Sequence, residues 1–383
     1  MSLLSLVNAA QLPKSLQLQT IHGEWEETDP LIIELILSPA MQRLKGVRHY
    51  GSTDYMVRRN VEYTRYIHSL GVYHVLKLKG ASRIEQVAGL LHDVSHTVFA
   101  HSTEPLFKGG FLDGSYQDDI HMEFMENYGV SDILRKHGIS PESISMSHTK
   151  LPGLKQRMPN LCGDRLDYNL YAAYMDHGWS KQDVREVLSH VYFEDGRWYF
   201  DDIDAARKLS EVSLYQSVNV WASADTIYCG TLTSYALREA MLTKLCGKDD
   251  IIYKCTDDTM WGHLVGAISA SIRLAAKNII NGMQCYRVVD HGKGDLLLKG
   301  KLRGLDPWVK TAIGFKRLSE LDPDYKRQYQ QIKQVLQQGW SIKLSEKCFG
   351  DASAISIKHS APVITPQQAM VIFFKERFPA VRG

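Results

Sequence analysis

Apolar positions recur every three or four residues through most of the first 280 residues, a period that predicts a mainly α-helical fold. In DPLIIELI, Asp29 stands as a helix N-cap with Pro30 at the first helical position, and Ser38 and Pro39 repeat the device in SPAMQRLKGV. Between Thr64 and Lys79, Ile67, Leu70 and Val75 fit one helical face, and Gly80 supplies a stop. Ser82 and Glu85 have capping-box spacing ahead of the stripe Ile84, Val87, Ala88 and Leu91. DRLDYNLYAAYM, just after Gly163, has helical spacing too. Longer helices are predicted over 205–220, 223–246 and 261–281. The last has Leu264, Ile268, Ile272, Ala275 and Ile279 as its core stripe and Asn281-Gly282 as its end.

Strand signals are few. VYFEDGRWYF has two aromatic runs around Asp195-Gly196 and predicts one short β-hairpin. After residue 283 the texture changes to short leucine or β-branched runs among Gly, Lys and Arg, followed by the polar helical stretch DPDYKRQYQQIKQVLQQ. The expected organisation is a helical domain over 1–282 and a small C-terminal α+β appendage over 283–383, serving assembly or regulation.

Composition narrows the partners. With 44% hydrophobic and 23% charged residues, 383 residues can bury a sizeable core. A net charge of +2 argues against wrapping nucleic acid by bulk electrostatics. The basic run Lys293, Lys299, Lys301, Arg303 and Lys310 reads as a solvated face rather than a contact for nucleic acid or an allosteric nucleotide. No apolar run approaches the length of a membrane span, and the N-terminus lacks the basic region of a secretory signal. Six scattered cysteines read as reduced thiols, so a cytoplasmic protein is expected.

Histidine changes the picture. Of fifteen, eight fall within residues 68–148. Imidazole titrates near neutrality and is the commonest metal ligand, so this density points to a metal or acid–base site. Three stretches carry it: TRYIHSLGV with Arg65 and His68, GLLHDVSHTVFAHSTE with His92, Asp93, His96, His101 and Glu104, and GDRLDY with Asp164, Arg165, Asp167 and Tyr168. A divalent metal that activates water needs a few neutral imidazoles and carboxylates converging, with coordination positions left open. His68 shares a helical side with Val72 and Val75 and should point inward. His92 and His96 lie four apart, hence on one face if their helix continues.

The order His…His-Asp…Asp in these settings resembles the HD-domain phosphohydrolases, and most of all the deoxynucleoside triphosphate triphosphohydrolases. The resemblance extends upstream to DPLIIELILSPAMQRLKGVRHYG and downstream to about residue 280, roughly two thirds of the chain. It implies a helical HD core and a divalent metal (Fe, Mn, Mg, Zn or Ni, which the sequence does not distinguish) held by His68, His92, Asp93 and Asp164. It also implies that His96 or His101 protonates the leaving oxygen, with Glu104 orienting it and His121 as a further site histidine. Met122 stands where the family has a glutamate after that histidine. Arg65 and Arg165 would clamp phosphate oxygens and Tyr168 would line the pocket.

The departures concern the sugar. His49 and Tyr50, in Arg48-His49-Tyr50-Gly51, replace the family's Lys-Gln-Leu-Gly, whose side chains approach it. Ala172 stands where the family has its sugar-binding carboxylate, and Tyr55-Met-Val-Arg58-Arg59-Asn60 replaces the family's Tyr-Pro-Gly-Ala stretch. A site that loses a partner for a hydroxyl loses discrimination for it. The expected function is a metal-dependent hydrolase of nucleotide phosphates, (deoxy)nucleoside triphosphates first, working by water attack on phosphorus in a homo-oligomer. Alternatives are an HD phosphatase or phosphodiesterase acting on a monophosphate or another ester, a diiron oxygenase, or a nucleotide-binding regulatory module.

Overall fold

The computed structural model describes residues 12–57, 63–108, 115–146, 150–350, 367 and 370. Arg58 and Arg59 lie outside the described residues. The described residues begin with an antiparallel hairpin, β1 (Leu16–Thr20) and β2 (Gly23–Glu27), which was not among the expected elements. Its strands alternate in burial, but Gln and Glu fill their outward positions, so the β signal is weak. The turn between them buries Ile21 and His22.

Helices α1 (Pro30–Leu37), α2 (Pro39–Arg43) and α3 (Thr53–Val57) follow. The Asp29 side chain accepts from the Leu31 N–H and Ser38 from the Met41 N–H, as their cap positions require. Next come α4 (Arg65–Leu78), capped by Thr64, and α5 (Arg83–Leu91), opened by the Ser82–Glu85 capping box. Short α6 (Glu104–Phe107), then α7 (Tyr116–Asn127) and α8 (Val130–Lys136), lead to α9 (Gly163–Asp176).

The α4 helix packs against both α5 and α9. Two glycines let it come close. A Cβ on Gly71 would lie 1.9 Å from Asp167 Oδ1, and one on Gly89 would lie 2.4 Å from Leu76 Cδ1. Burying Leu70, Val72, Val75 and Leu76 on α4 contributes about 1.5–3 kcal/mol each, which offsets the desolvation of Arg65 and His68 on the same helix.

Beyond α10 (Lys181–Ser189), the expected hairpin is present as β3 (Val191–Glu194) and β4 (Arg197–Phe200). Helix α11 (Ile203–Gln216) runs into a π-type turn over Ser217–Trp221, and α12 (Ala224–Leu242) follows. The helix expected over 261–281 is instead two, α13 (Asp257–Val265) and α14 (Ala270–Asn281). Gly266 ends the first, and Ile268, expected in the core stripe, is 96% exposed in the break.

The remaining elements are β5 (Tyr286–Val288), β6 (Leu296–Leu298), β7 (Trp308–Thr311), β8 (Gly314–Arg317), α15 (Leu318–Leu321), α16 (Pro323–Gln338), β9 (Trp340–Leu344) and α17 (Glu346–Phe349). Strand β7 pairs in parallel with β4, giving a sheet of order β3-β4-β7-β8, while β5, β9 and β6 form a second sheet. Leu305, Val309, Leu318 and Tyr325 enter the same core as α4 and α9, and Leu296, Leu298 and Ile342 pack with α12 and α14. Cys285 and Cys348 form a disulfide, against the expectation of six reduced thiols; the sheet brings together residues 63 apart, which spacing alone does not reveal. Among the described residues, no helix is long and apolar enough to cross a membrane.

Candidate active site

Three side chains from three helices converge. His68 comes from the first turn of α4, His92 caps the C-terminus of α5, and Asp164 sits in the first turn of α9. His68 Nε2 lies 3.1 Å from Asp164 Oδ1 and 3.2 Å from His92 Nε2, and His92 Nε2 lies 3.7 Å from Asp164 Oδ1. The outer ring nitrogens explain why these atoms face one another. His92 Nδ1 donates to the Gly89 carbonyl at 2.8 Å, and His68 Nδ1 donates to Asp167 Oδ2 at 2.6 Å. With those protons placed outward, both Nε2 lone pairs and a carboxylate oxygen aim at one point, the donor set of a cation site.

Asp167 is itself held. Fully buried on α9, it accepts from His22 Nε2 at 2.6 Å and from the Tyr63 hydroxyl at 3.0 Å. The N-terminal hairpin thus braces His68 through Asp167.

Asp93 stands beside the cluster, its oxygens 3.5 Å from His92 Nε2 and 3.7 Å from His68 Nε2. Its carboxylate accepts from Arg65 Nη1 at 2.7 Å and from Gln117 Nε2 at 2.9 Å, with His96 Nε2 at 3.2 Å. Burial pushes Asp93 up, but His92, His96 and Arg65 outweigh it and hold the group well below the usual carboxylate range. Burial and the Arg65 charge push His96 well down, so that buried ring is neutral.

In the absence of metal, His68 is pushed up to about 10: burial opposes its charge, but Asp164 and Asp167 outweigh burial. A proton therefore sits where a cation would bind. A histidine raised from 6.5 stabilises the fold fully below that pH, and this contribution is lost as pH rises through about 10. Chelator-treated protein is thus expected to melt at a lower temperature at high pH than near neutrality. Mn²⁺ affinity should rise about tenfold per pH unit in the same window, because binding displaces the proton. Calorimetric titrations on either side of pH 7 check this, and a flat affinity would contradict it.

The cluster opens into a cavity of about 390 Å³. His101 lines it, partly exposed, with Nδ1 2.8 Å from Glu104 Oε1. His49, Tyr50, Arg65, Arg165 and Tyr168 line it as well. His68, His96 and His121 do not, so His92, Asp93 and Asp164 present the cluster to it. His121, expected in the site, is fully buried with Nε2 2.9 Å from the Leu91 carbonyl, where it secures the end of α5. The two expected phosphate clamps are both engaged. Arg65 donates to Asp93 and to the His49 carbonyl, and Arg165 donates to the carbonyls of Asn160 and Gln156 at 2.6 Å each. No motif or spacing in the sequence marks His22, Gln117 or Trp221. Lys301 and Arg303, read as solvated, line the cavity instead.

No family model matches the chain. It is 30% identical over 299 residues to the uncharacterised protein YdhJ of Bacillus subtilis, covering 76% of this chain and 90% of that one. It is 29% identical over 297 residues to the metal-dependent phosphohydrolase cns2 of Cordyceps militaris, covering 76% and 83%. A shorter match, 28% over 149 residues, links it to the deoxynucleoside triphosphate triphosphohydrolase SAMHD1 of Homo sapiens, covering 32% of this chain and 22% of that one. The chain belongs to the HD-domain phosphohydrolase superfamily. In fold it is similar to a phosphohydrolase from Bacteroides thetaiotaomicron, with a TM-score of 0.58 at 14% identity, covering 86% and 98%. The HD-domain reading agrees with the chemistry of the His68–His92–Asp164 set, which suits a divalent metal without selecting one, and with a small-molecule phosphate as substrate.

Proposed function

We propose that the chain hydrolyses nucleotide phosphates at the His68–His92–Asp164 cluster, with (deoxy)nucleoside triphosphates as its substrate class. The observation that carries this reading is that His92 and Asp164 of the three-donor cluster and a His101–Glu104 pair line one cavity. A divalent cation bound there would lower the pKa of a water and polarise the phosphoryl oxygens. In the reaction the water oxygen bonds to phosphorus, the ester P–O bond breaks, and the departing oxygen takes a proton.

His101 is the donor this geometry favours. Its Nδ1 is fixed on Glu104 and its ring reaches the cavity, whereas His96 is buried, neutral and turned toward Asp93. Arg65 and Gln117 hold Asp93 beside the cluster. Tyr168 meets Trp221 edge-on with ring centroids 4.9 Å apart, an aromatic wall suited to a planar base.

A second reading keeps the chemistry and shortens the substrate. With Arg65 and Arg165 committed to protein partners, the metal end of the cavity has little free cationic capacity for a polyphosphate, which favours a monophosphate ester.

Product analysis separates the two. Mn²⁺- or Fe²⁺-loaded protein is incubated with deoxy- and ribonucleoside tri- and monophosphates. Tripolyphosphate plus nucleoside supports the first reading, and orthophosphate from monophosphates supports the second. The His101→Gln variant is expected to lose on the order of 10²–10⁴ in kcat with metal content retained. No phosphate release in any divalent metal, or oxygen consumption by a protein holding two irons, sinks both.

A further inference from the structure

The basic run after residue 290 divides sharply in the fold. Lys293, Lys299 and Lys310 are exposed, while Lys301 and Arg303 are half-buried and line the same cavity as the metal cluster. Their stretch of backbone is fastened at both ends. Gly300 lies so close to Ala222 that a Cβ there would approach Ala222 Cβ to 2.5 Å, and one on Gly304 would meet Leu214 Cδ2 at 2.6 Å. Between them, the Arg303 N–H donates to Ser217 Oγ at 3.1 Å and its carbonyl accepts from Ser213 Oγ at 3.0 Å. The end of α11 and its π-type turn therefore hold this segment on the cavity wall, next to Trp221.

Charge balance gives the segment a purpose. The carboxylates on the cavity wall have partners close by: Asp93 has Arg65, Glu104 has His101, Asp118 has Lys155, and Asp164 has the histidines. The Arg303 guanidinium makes no hydrogen bond or ion pair with any described residue, although the wall has removed part of its hydration. A partly desolvated guanidinium is best satisfied by a carboxylate or phosphate supplied from outside. Arg303 is also near enough to Tyr168 for its charge to act on the phenol.

We propose that Lys301 and Arg303 form a second anion subsite in this cavity, which binds a phosphate group of the substrate other than the one that reacts. The proposal rests on the cavity being the hydrolytic site. It makes residues 300–303 part of substrate selection, and it assigns the enzyme a substrate with more than one phosphate. That second phosphate belongs either to a polyphosphate tail or to a separate position on the same nucleoside.

The test compares the parent, Lys301→Ala/Arg303→Ala and Arg303→Glu, all Mn²⁺-loaded, with Lys310→Ala as an exposed control. The readout is kcat/KM for a nucleoside triphosphate and for a nucleoside 3′,5′-bisphosphate, each divided by kcat/KM for p-nitrophenyl phosphate. One or both ratios should fall at least about tenfold in the double variant and further in Arg303→Glu, since a charge-assisted contact of roughly 1.5–3 kcal/mol is lost. Loss with the triphosphate alone identifies a tail, and loss with the bisphosphate alone identifies a separate phosphate. Unchanged ratios, or an equal fall in Lys310→Ala, overturn the subsite. Should the parent hydrolyse no ester, the proposed function fails. Calorimetric binding of the triphosphate to parent and double variant then decides the subsite by itself, with equal affinity overturning it.

Discussion

Replacing Asp164 by alanine is expected to strip the bound metal and lower kcat on any phosphate ester by on the order of 10³-fold, since loss of the cation forfeits several kcal/mol of transition-state stabilisation. The effect should fall on chemistry and leave the fold intact. Asp164 projects from the first turn of α9, its side chain is 35% exposed, and its oxygen faces His68 Nε2 and His92 Nε2. In the metal-free variant His68 loses one of the two carboxylates that hold its charge but keeps Asp167, and the helix N-terminus loses an acidic residue worth about 0.3–1 kcal/mol, so any loss of stability should be small beside the loss of activity. Mass-spectrometric metal stoichiometry, a melting curve and kcat on one ester decide it together. A variant that holds metal and turns over like the parent would remove the cluster from the reaction.

The second large effect is expected at Asp167→Asn, which touches neither metal nor substrate. Its carboxylate accepts from His68 Nδ1, His22 Nε2 and Tyr63, all buried. An amide there turns one acceptor into a donor that faces another donor. Loss of such an outer partner lowers metal affinity about 10–100-fold. Breaking a buried charge network costs roughly 3–5 kcal/mol of stability. Both should be seen, by metal titration and by chemical denaturation. A loss of stability with unaltered metal affinity would reduce Asp167 to packing and refute its role in aiming His68. His22→Ala should move both quantities the same way but less, because Tyr63 and His68 still meet the carboxylate.

Features set by neighbours in sequence could be read before the fold was known. The caps at Asp29 and Ser38, the Ser82–Glu85 box and the inward side of His68 follow from helical spacing, and the structure has each of them. Pairings across long stretches of chain could not be read this way. His22 reaches Asp167 across 145 residues, and Cys285 reaches Cys348 across 63. The inward turn of Lys301 and Arg303 depends on Ser213 and Ser217 of a distant helix, so a run of cations looked like ordinary surface. Where local signals misled, a specific residue explains it. Gly266 ends α13 inside an otherwise regular stripe and leaves Ile268 in solvent. His121, placed in the site only by the family resemblance, reaches a backbone carbonyl instead of the cavity.

The proposed function turns on one step, metal-dependent attack of water on phosphorus at this cluster. Single-turnover hydrolysis in ¹⁸O-labelled water, with ³¹P NMR of the products, tests it most directly. One ¹⁸O is expected in the phosphate or tripolyphosphate released and none in the nucleoside, with no turnover after chelation until a divalent metal is restored. Label in the nucleoside hydroxyl, or release that persists without metal, would contradict it.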